Sequence, residues 1–383
     1  MSASFKSNND ADMEPAIEAL LTQKWKAHLQ GPYTPKGEAE VAELLQRYIS
    51  KHVAGGHVTA IHRMGGGASK EQFVFDLENC DQAGRYVLRM DPLGAIVETD
   101  RRRECEALRA FAGHIPVPRA VWLDADGLEF GQPAVIMEFT NGVTKPSDPG
   151  ARVNNGIGTV LGPRLRKLLA PQFIENLVAI HDFDWRGAEL PSYQVPDADP
   201  LQAARWRANC WSRIWREDKV ASMPVATLAE AWLAENLPAT TDLSFIHGDY
   251  RTGNFLFEES SGRMTAILDW ELGHIGDFHE DLGFIVQRTL GTVEEGRSLV
   301  CGLFERDEFL DLYQEASGRT ISPRALHFYE VLATLESMAL LLGTGVSVAG
   351  RGHNHQDVLL TWLATAGHQF HFELCRLLEK DVH

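Results

Sequence analysis

His247-Gly248-Asp249-Tyr250-Arg251-Thr252-Gly253-Asn254-Phe255-Leu256-Phe257 is the most informative stretch of this chain, and Ile267-Leu268-Asp269-Trp270-Glu271 follows shortly after it. A turn rich in Gly, Asp and Asn is common and would mean little alone. The order of the parts means more. A carboxylate, Asp249, stands five residues before an amide, Asn254; an apolar run follows, and Asp269 ends a second run fifteen residues past Asn254. A strand-turn-strand hairpin would bring Asn254 and Asp269 to one place, where two hard oxygens suit Mg²⁺ bound to a polyphosphate. Asp249 is then the carboxylate that orients an attacking hydroxyl and accepts its proton.

Asp-x-x-x-x-Asn is the spacing of a kinase catalytic loop. With Ile-Leu-Asp-Trp behind it, the motif resembles the aminoglycoside phosphotransferase family, a relative of choline kinases and, more distantly, of protein kinases. The resemblance extends over nearly the whole chain. Phe309 to Thr320 (F-L-D-L-Y-Q-E-A-S-G-R-T) is similar to the branch found as a kinase-like domain beside acyl-CoA dehydrogenases. It implies an α+β, two-lobed protein-kinase-like fold, with a small β-rich N-lobe and a larger, mainly helical C-lobe. It implies ATP and Mg²⁺ as well, and transfer of a phosphoryl group to a hydroxyl of a small molecule.

Such a fold makes demands on the first third of the chain, and its residues meet them. Residues from about Met13 to Val53 have helical spacing. Strand patterns follow at Val58 to Arg63, Gln72 to Leu77 and Arg85 to Met90, then a helix at about Ile96 to Phe111, and strands at Val121 to Leu123 and Ala134 to Phe139. The division predicted is an N-lobe over 1–139 and a C-lobe over 140–383, jointed near Met137 to Val143. The second part reads as mainly helical, broken by two short strands, Phe255 to Phe257 and Thr265 to Leu268.

Gly65-Gly66-Gly67-Ala68-Ser69 lies between two strands, where backbone amides such as those of Gly66, Gly67 and Ser69 can approach phosphate. An ordinary hairpin turn explains it about as well. On the third strand, alternation puts Val87 and Arg89 on one face, an apolar wall for a nucleotide beside a cation for its phosphates. Protein kinases have Lys at this place, so Arg89 is a departure. On the next helix Glu104 shares a face with Leu108 and Phe111, whereas Glu106 turns away, so Glu104 is the expected partner of Arg89. Adenine is expected against the joint, at Met137, Glu138 and Phe139.

Composition bounds the rest. The net charge of −17 over 383 residues argues against nucleic acid and anionic membranes as partners. Five scattered cysteines without a C-x-x-C pair argue against zinc and a disulfide framework, and with a polar N-terminus they lead to the expectation of a cytoplasmic protein. The apolar window Val331 to Val348 contains Glu336 and reads as a buried helix. Asp277 and Asp281 resemble the family's structural acids that brace the catalytic loop, and His247 is expected in a similar role, bonding the backbone near Asp269. Glu271, Asp277 and Glu280 would favour an amine-bearing acceptor if they were not structural. His353, His355, His368 and His371 match no zinc spacing, and Trp206, Trp211 and Trp215 read as packing. Two rivals stay open. A protein kinase would need an H-R-D arginine, D-F-G and A-P-E, which are absent; a nucleotide-binding module without turnover would keep these residues but not the reaction. Oligomeric state and the acceptor itself have no signature in the sequence.

Overall fold

Alternation of apolar and polar residues along the first third builds a single sheet. The computed structural model describes residues 12–65, 69–147, 158–294 and 296–379. Strands β1 (His57–Arg63), β2 (Glu71–Glu78), β3 (Gly84–Met90), β4 (Ala120–Asp124) and β5 (Ala134–Glu138) pair antiparallel in the order β1-β2-β3-β5-β4. Because side chains alternate across a strand, β3 serves two cores. Tyr86, Leu88 and Met90 pack with Phe73, Phe75 and Ile136 against Val41, Leu45, Tyr48 and Ile49 of helix α2 (Glu38–His52). Val87 faces the other way, with Val135 and Met137, toward Leu108 and Phe111 of helix α3 (Arg101–Phe111).

Helix α3 starts five residues later than its sequence pattern predicts. Asp100 caps it, its carboxylate accepting the Arg102 amide at 2.8 Å, and 96–100 stays a loop. That loop continues from Gly94, which is fixed to the C-lobe: its amide donates to His353 O at 2.8 Å and its carbonyl accepts from Asn354 Nδ2 at 2.9 Å. Helix α1 (Pro15–His28), grouped with the N-lobe by sequence, packs instead on the C-lobe, against α5.

The C-lobe holds α4 (Gly162–His181), α5 (Gln202–Asp218), α6 (Pro224–Glu235), α7 (His279–Ile285), α8 (Arg306–Ser317), α9 (Pro323–Met338), α10 (Gly345–Arg351) and α11 (Asp357–Leu378). Helices α9 and α10 join through a π-helical turn at Ala339–Thr344. The resulting helix, Pro323–Arg351, is long and apolar enough to cross a bilayer by composition, yet 83% of its most apolar window is buried within the protein. Its neighbours are α5, α6, α7 and α11, so it is a core helix here.

Strands β7 (Phe255–Glu258) and β8 (Arg263–Ile267) form the expected hairpin. The sequence reading had no counterpart for β6 (Leu243–Ile246) with β9 (His274–Asp277), nor for β10 (Thr292–Glu294) with β11 (Arg297–Leu299). These are strands of three or four residues. In the first pair Leu243 meets Asp277 from far along the chain, and a pairing so short and non-local leaves no periodic pattern.

Candidate active site

The β3 alternation that sends Val87 to one core sends Arg89 to the same face, beside the start of α3. Arg89 Nη1 donates to Glu104 Oε1 at 2.5 Å and Nη2 to Asp269 Oδ1 at 2.6 Å. Glu104 is gripped on its other oxygen by Arg101 Nη1, one turn earlier on α3. Arg101 also reaches Glu271 at 3.0 Å and Asp91 at 3.3 Å, and Lys70 adds contacts to Asp91 at 2.9 Å and Glu271 at 3.5 Å. Isolated, any of these charges would cost several kcal/mol to bury; in the cluster each has at least one partner. Burial works to raise the Glu271 carboxyl, but Lys70, Arg101 and Arg89 outweigh it and hold it down at about 2. Arg89 stays charged despite its burial, because Glu104 and Asp269 face it. Glu271 is thus engaged by cations of its own protein rather than open to an amine.

The catalytic loop runs from β6 to β7. Gly248 has φ +84, and a Cβ there would stand 2.7 Å from Leu272 Cβ and 3.0 Å from its carbonyl oxygen, so the position takes only glycine. The carboxylate of Asp281 on α7 accepts the amides of His247 and Gly248, both at 2.8 Å, and His181 Nε2 lies 3.1 Å from it. His247 Nε2 meets Leu268 O at 3.0 Å, which ties the loop to the residue before Asp269. Of the two acids read as braces, Asp281 does hold the loop. Asp277 instead accepts from the amide and ring of His279, the first residue of α7.

Both oxygens of Asp249 are occupied. Arg251 Nε donates to Oδ1 at 2.8 Å and Asn254 Nδ2 to Oδ2 at 2.6 Å. Burial raises the Asp249 carboxyl above its usual range, with Arg251 opposing. Asn254, donating through its nitrogen, presents its amide oxygen elsewhere, and its backbone carbonyl accepts the Leu268 amide at 2.7 Å. Asp269 sits at φ 60, ψ 55, a left-handed conformation that costs a non-glycine residue roughly 1–3 kcal/mol, and Arg89 binds one of its oxygens. The donors therefore fit Mg²⁺: one carboxylate oxygen of Asp269 and one amide oxygen of Asn254 are left over, both hard ligands. Among the described residues no group of three or more His, Cys, Asp or Glu is placed to hold a metal ion.

Val87 and Met137, expected beside adenine, stand opposite each other in the β3–β5 ladder, 8% and 5% exposed. The next two residues of the joint, Glu138 and Phe139, have their amides engaged within the protein. Their amides donate to Arg119 O and Arg85 O, both at 2.9 Å, and the Glu138 side chain pairs with Arg119 at the surface. The sheet has used these two amide donors. Ser69 is half-buried at a bend; Gly66 and Gly67 lie outside the described residues.

The sequence reading missed Arg251, Arg101, Lys70 and Asp91. Arg251 is two residues from Asp249 and was legible. Arg101 stands at i−3 from Glu104, a spacing that puts it on the same helix face. Lys70 and Asp91 had no signal, since only the tertiary fold brings them together.

Arg89 on β3, anchored by Glu104, thus meets Asp269 beside the loop that holds Asp249 and Asn254, and with the family match this is a small-molecule phosphotransferase on a kinase-like fold. The chain belongs to the phosphotransferase enzyme family (APH), whose model matches residues 60–329. Among curated relatives, acyl-CoA dehydrogenase family member 10 of Mus musculus is 27% identical over 280 residues, 70% of this chain and 24% of its own length. This chain thus spans only a minor part of the curated relatives it matches. A crystal structure from Ralstonia eutropha, assigned as an aminoglycoside phosphotransferase, superposes with a TM-score of 0.62 at 23% identity, covering 87% of this chain and 98% of that one. Aminoglycoside phosphotransferase APH(4)-Ia, in a ternary complex with AMP-PNP and hygromycin B, gives 0.57 at 16% identity, covering 88% and 99%. These two likenesses speak for the fold.

Proposed function

We propose that this enzyme moves the γ-phosphoryl group of ATP, with Mg²⁺, to a hydroxyl of a small molecule. The observation that carries the reading is Arg89 bridging Glu104 and Asp269 while Asp249, the loop carboxylate, is held in place by Arg251 and Asn254. Arg89 fixes the non-transferred phosphates, and Val87 and Met137 flank the adenine. When bound, Mg²⁺ supplies positive charge to the polyphosphate and orients it for in-line displacement; Asp269 and Asn254 are the residues that would hold it. Asp249 orients the acceptor hydroxyl and takes its proton as the oxygen attacks phosphorus. The bond between phosphorus and the β–γ bridging oxygen breaks, and ADP leaves with that electron pair. Asn254 must turn off Asp249 Oδ2 for the hydroxyl to approach. Positioning and charge neutralisation supply most of the rate.

The reading includes a cytoplasmic location, supported by five free thiols, which cell fractionation would check. It keeps the division into two lobes near residue 140, with α1 docked on the second. Mg²⁺-dependent ATP consumption should be measured over aminoglycosides, amino alcohols, hydroxy acids and hydroxylated acyl-CoA thioesters, the last because relatives bear the acyl-CoA dehydrogenase name. Turnover that needs one acceptor class and vanishes in Asp249→Asn supports the reading. Tight Mg²⁺-dependent ATP binding with no turnover on any acceptor would favour a nucleotide-binding module.

A further inference from the structure

The family match begins at residue 60, so helix α1 and the residues leading into it lie outside it. They are nevertheless joined to the helix that carries Glu104. Glu14, 7% exposed, meets the guanidinium of Arg103 with both oxygens, Oε1 on Nη1 and Oε2 on Nη2, the latter at 3.3 Å. Arg103 is 3% exposed and is a hub for four segments. Its Nη2 also donates to Gly273 O at 3.0 Å, at the end of the turn that starts from Asp269, and its Nη1 to Ser192 O at 3.0 Å. Its guanidinium lies 4.4 Å from the Tyr193 ring centre, and Tyr193 donates back to the Arg103 carbonyl at 2.9 Å.

The far end of this connection is fixed to the C-lobe. Asp12 accepts from Trp206 Nε1 at 2.8 Å and Arg205 at 3.0 Å, its carbonyl accepts from Asn209 at 2.8 Å, and Lys24 pairs with Asp218 at 3.0 Å. Neighbours on a helix point about 100° apart. Glu104 therefore faces the cleft while Arg103 faces the back, where Glu14 waits.

We infer that Glu14 is a positioning residue: acting through Arg103, it holds α3 at the depth where Glu104 reaches Arg89. Nucleotide affinity then depends on a segment outside the matched core. The inference rests on the proposed role of Arg89 and Glu104 toward nucleotide. It goes beyond that role in assigning a function to the N-terminal segment.

The test uses the full chain. AMP-PNP affinity with Mg²⁺ is measured by calorimetry for wild type, Glu14→Gln, Arg89→Gln and the double variant, with Arg89→Lys replacing Arg89→Gln if the latter misfolds. Amide hydrogen exchange is followed without ligand in wild type and Glu14→Gln. The expected result is about tenfold weaker binding for Glu14→Gln, and a double variant no worse than the Arg89 variant alone, because both act through one contact. Exchange across α3 should rise about tenfold while α4 is unchanged. Additive losses in the double variant, or α3 exchange equal to wild type, overturn the inference. If wild type binds no nucleotide, the phosphotransferase reading fails by itself, and exchange still decides whether Glu14 holds α3.

Discussion

The two sides of the cleft hold their charges in opposite ways. On the proposed nucleotide side, Lys70, Arg89 and Arg101 are laced to Asp91, Glu104, Asp269 and Glu271, residues drawn from both lobes and mostly buried, with Asp269 the exception at 33% side-chain exposure. On the transfer side, Asp249, Arg251 and Asn254 belong to one short loop, and Asp249 and Arg251 keep 23% and 24% side-chain exposure. The first arrangement is redundant, since Glu104 has two arginines and Arg101 three carboxylates. The second is lean, with one donor for each oxygen of Asp249 and one outside carboxylate, Asp281, under the loop. Redundancy makes geometry robust to one lost contact; leanness leaves a group free to react.

The comparison breaks first where it is leanest. Asp249→Asn should lower kcat about a thousandfold, the middle of the range for a lost general base, with nucleotide affinity within about twofold. Steady-state kinetics beside calorimetry would show this, and turnover within tenfold of wild type would move the base elsewhere. Next is the brace. Asp281→Ala strands two backbone amides and His181 in the interior, and should cost about 3–5 kcal/mol in urea unfolding.

On the redundant side the effect should be smaller. Glu104→Gln leaves Arg89 with Asp269 and Arg101 with Asp91 and Glu271, so a loss of about tenfold in AMP-PNP affinity is expected with the fold intact. A loss equal to that of Asp281→Ala in stability would show that the cluster is not redundant.

Acid should separate the two sides more gently. Burial pushes the Asp281 carboxyl up, but the hydrogen bond and charge of His181, with help from His247, outweigh it and hold the group below its usual range. A depressed folded-state value means stability that is present above the unfolded value, about 3.9, and lost as pH falls through the folded one. The fall in thermal midpoint below about pH 4 should therefore be shallower in Asp281→Asn than in wild type. The smallest effect belongs to a pair far from the cleft. Lys51 and Glu129, 2.7 Å apart with side chains 57% and 31% exposed, should change stability by less than about 0.5 kcal/mol when Lys51 becomes Ala.

The lean side was the legible one, because its contacts are local. Asp249, Asn254 and Asp269 follow from spacing around one hairpin, and β7 and β8 formed where their apolar runs predict. Arg89 and Glu104 were legible for a different reason: strand and helix periodicities each put them on a buried face, and a buried charge needs a partner. That the amides of Glu138 and Phe139 donate to Arg119 and Arg85 was not legible, because pairing order is not written in one strand. The late start of α3 was hidden because 96–100 has helical spacing but docks on the C-lobe instead.

Local chemistry was thus the sequence's own province: the loop, its metal-suited pair, the face of each periodic element and the family resemblance. Tertiary structure alone decided that Lys70, Asp91 and Glu271 share one buried cluster, that Asp277 turns to His279 instead of the loop, and that Glu14 meets Arg103. The physical reason is range. Backbone periodicity and turn composition act over a few residues, whereas burial forces distant charges to find one another only after the lobes have packed.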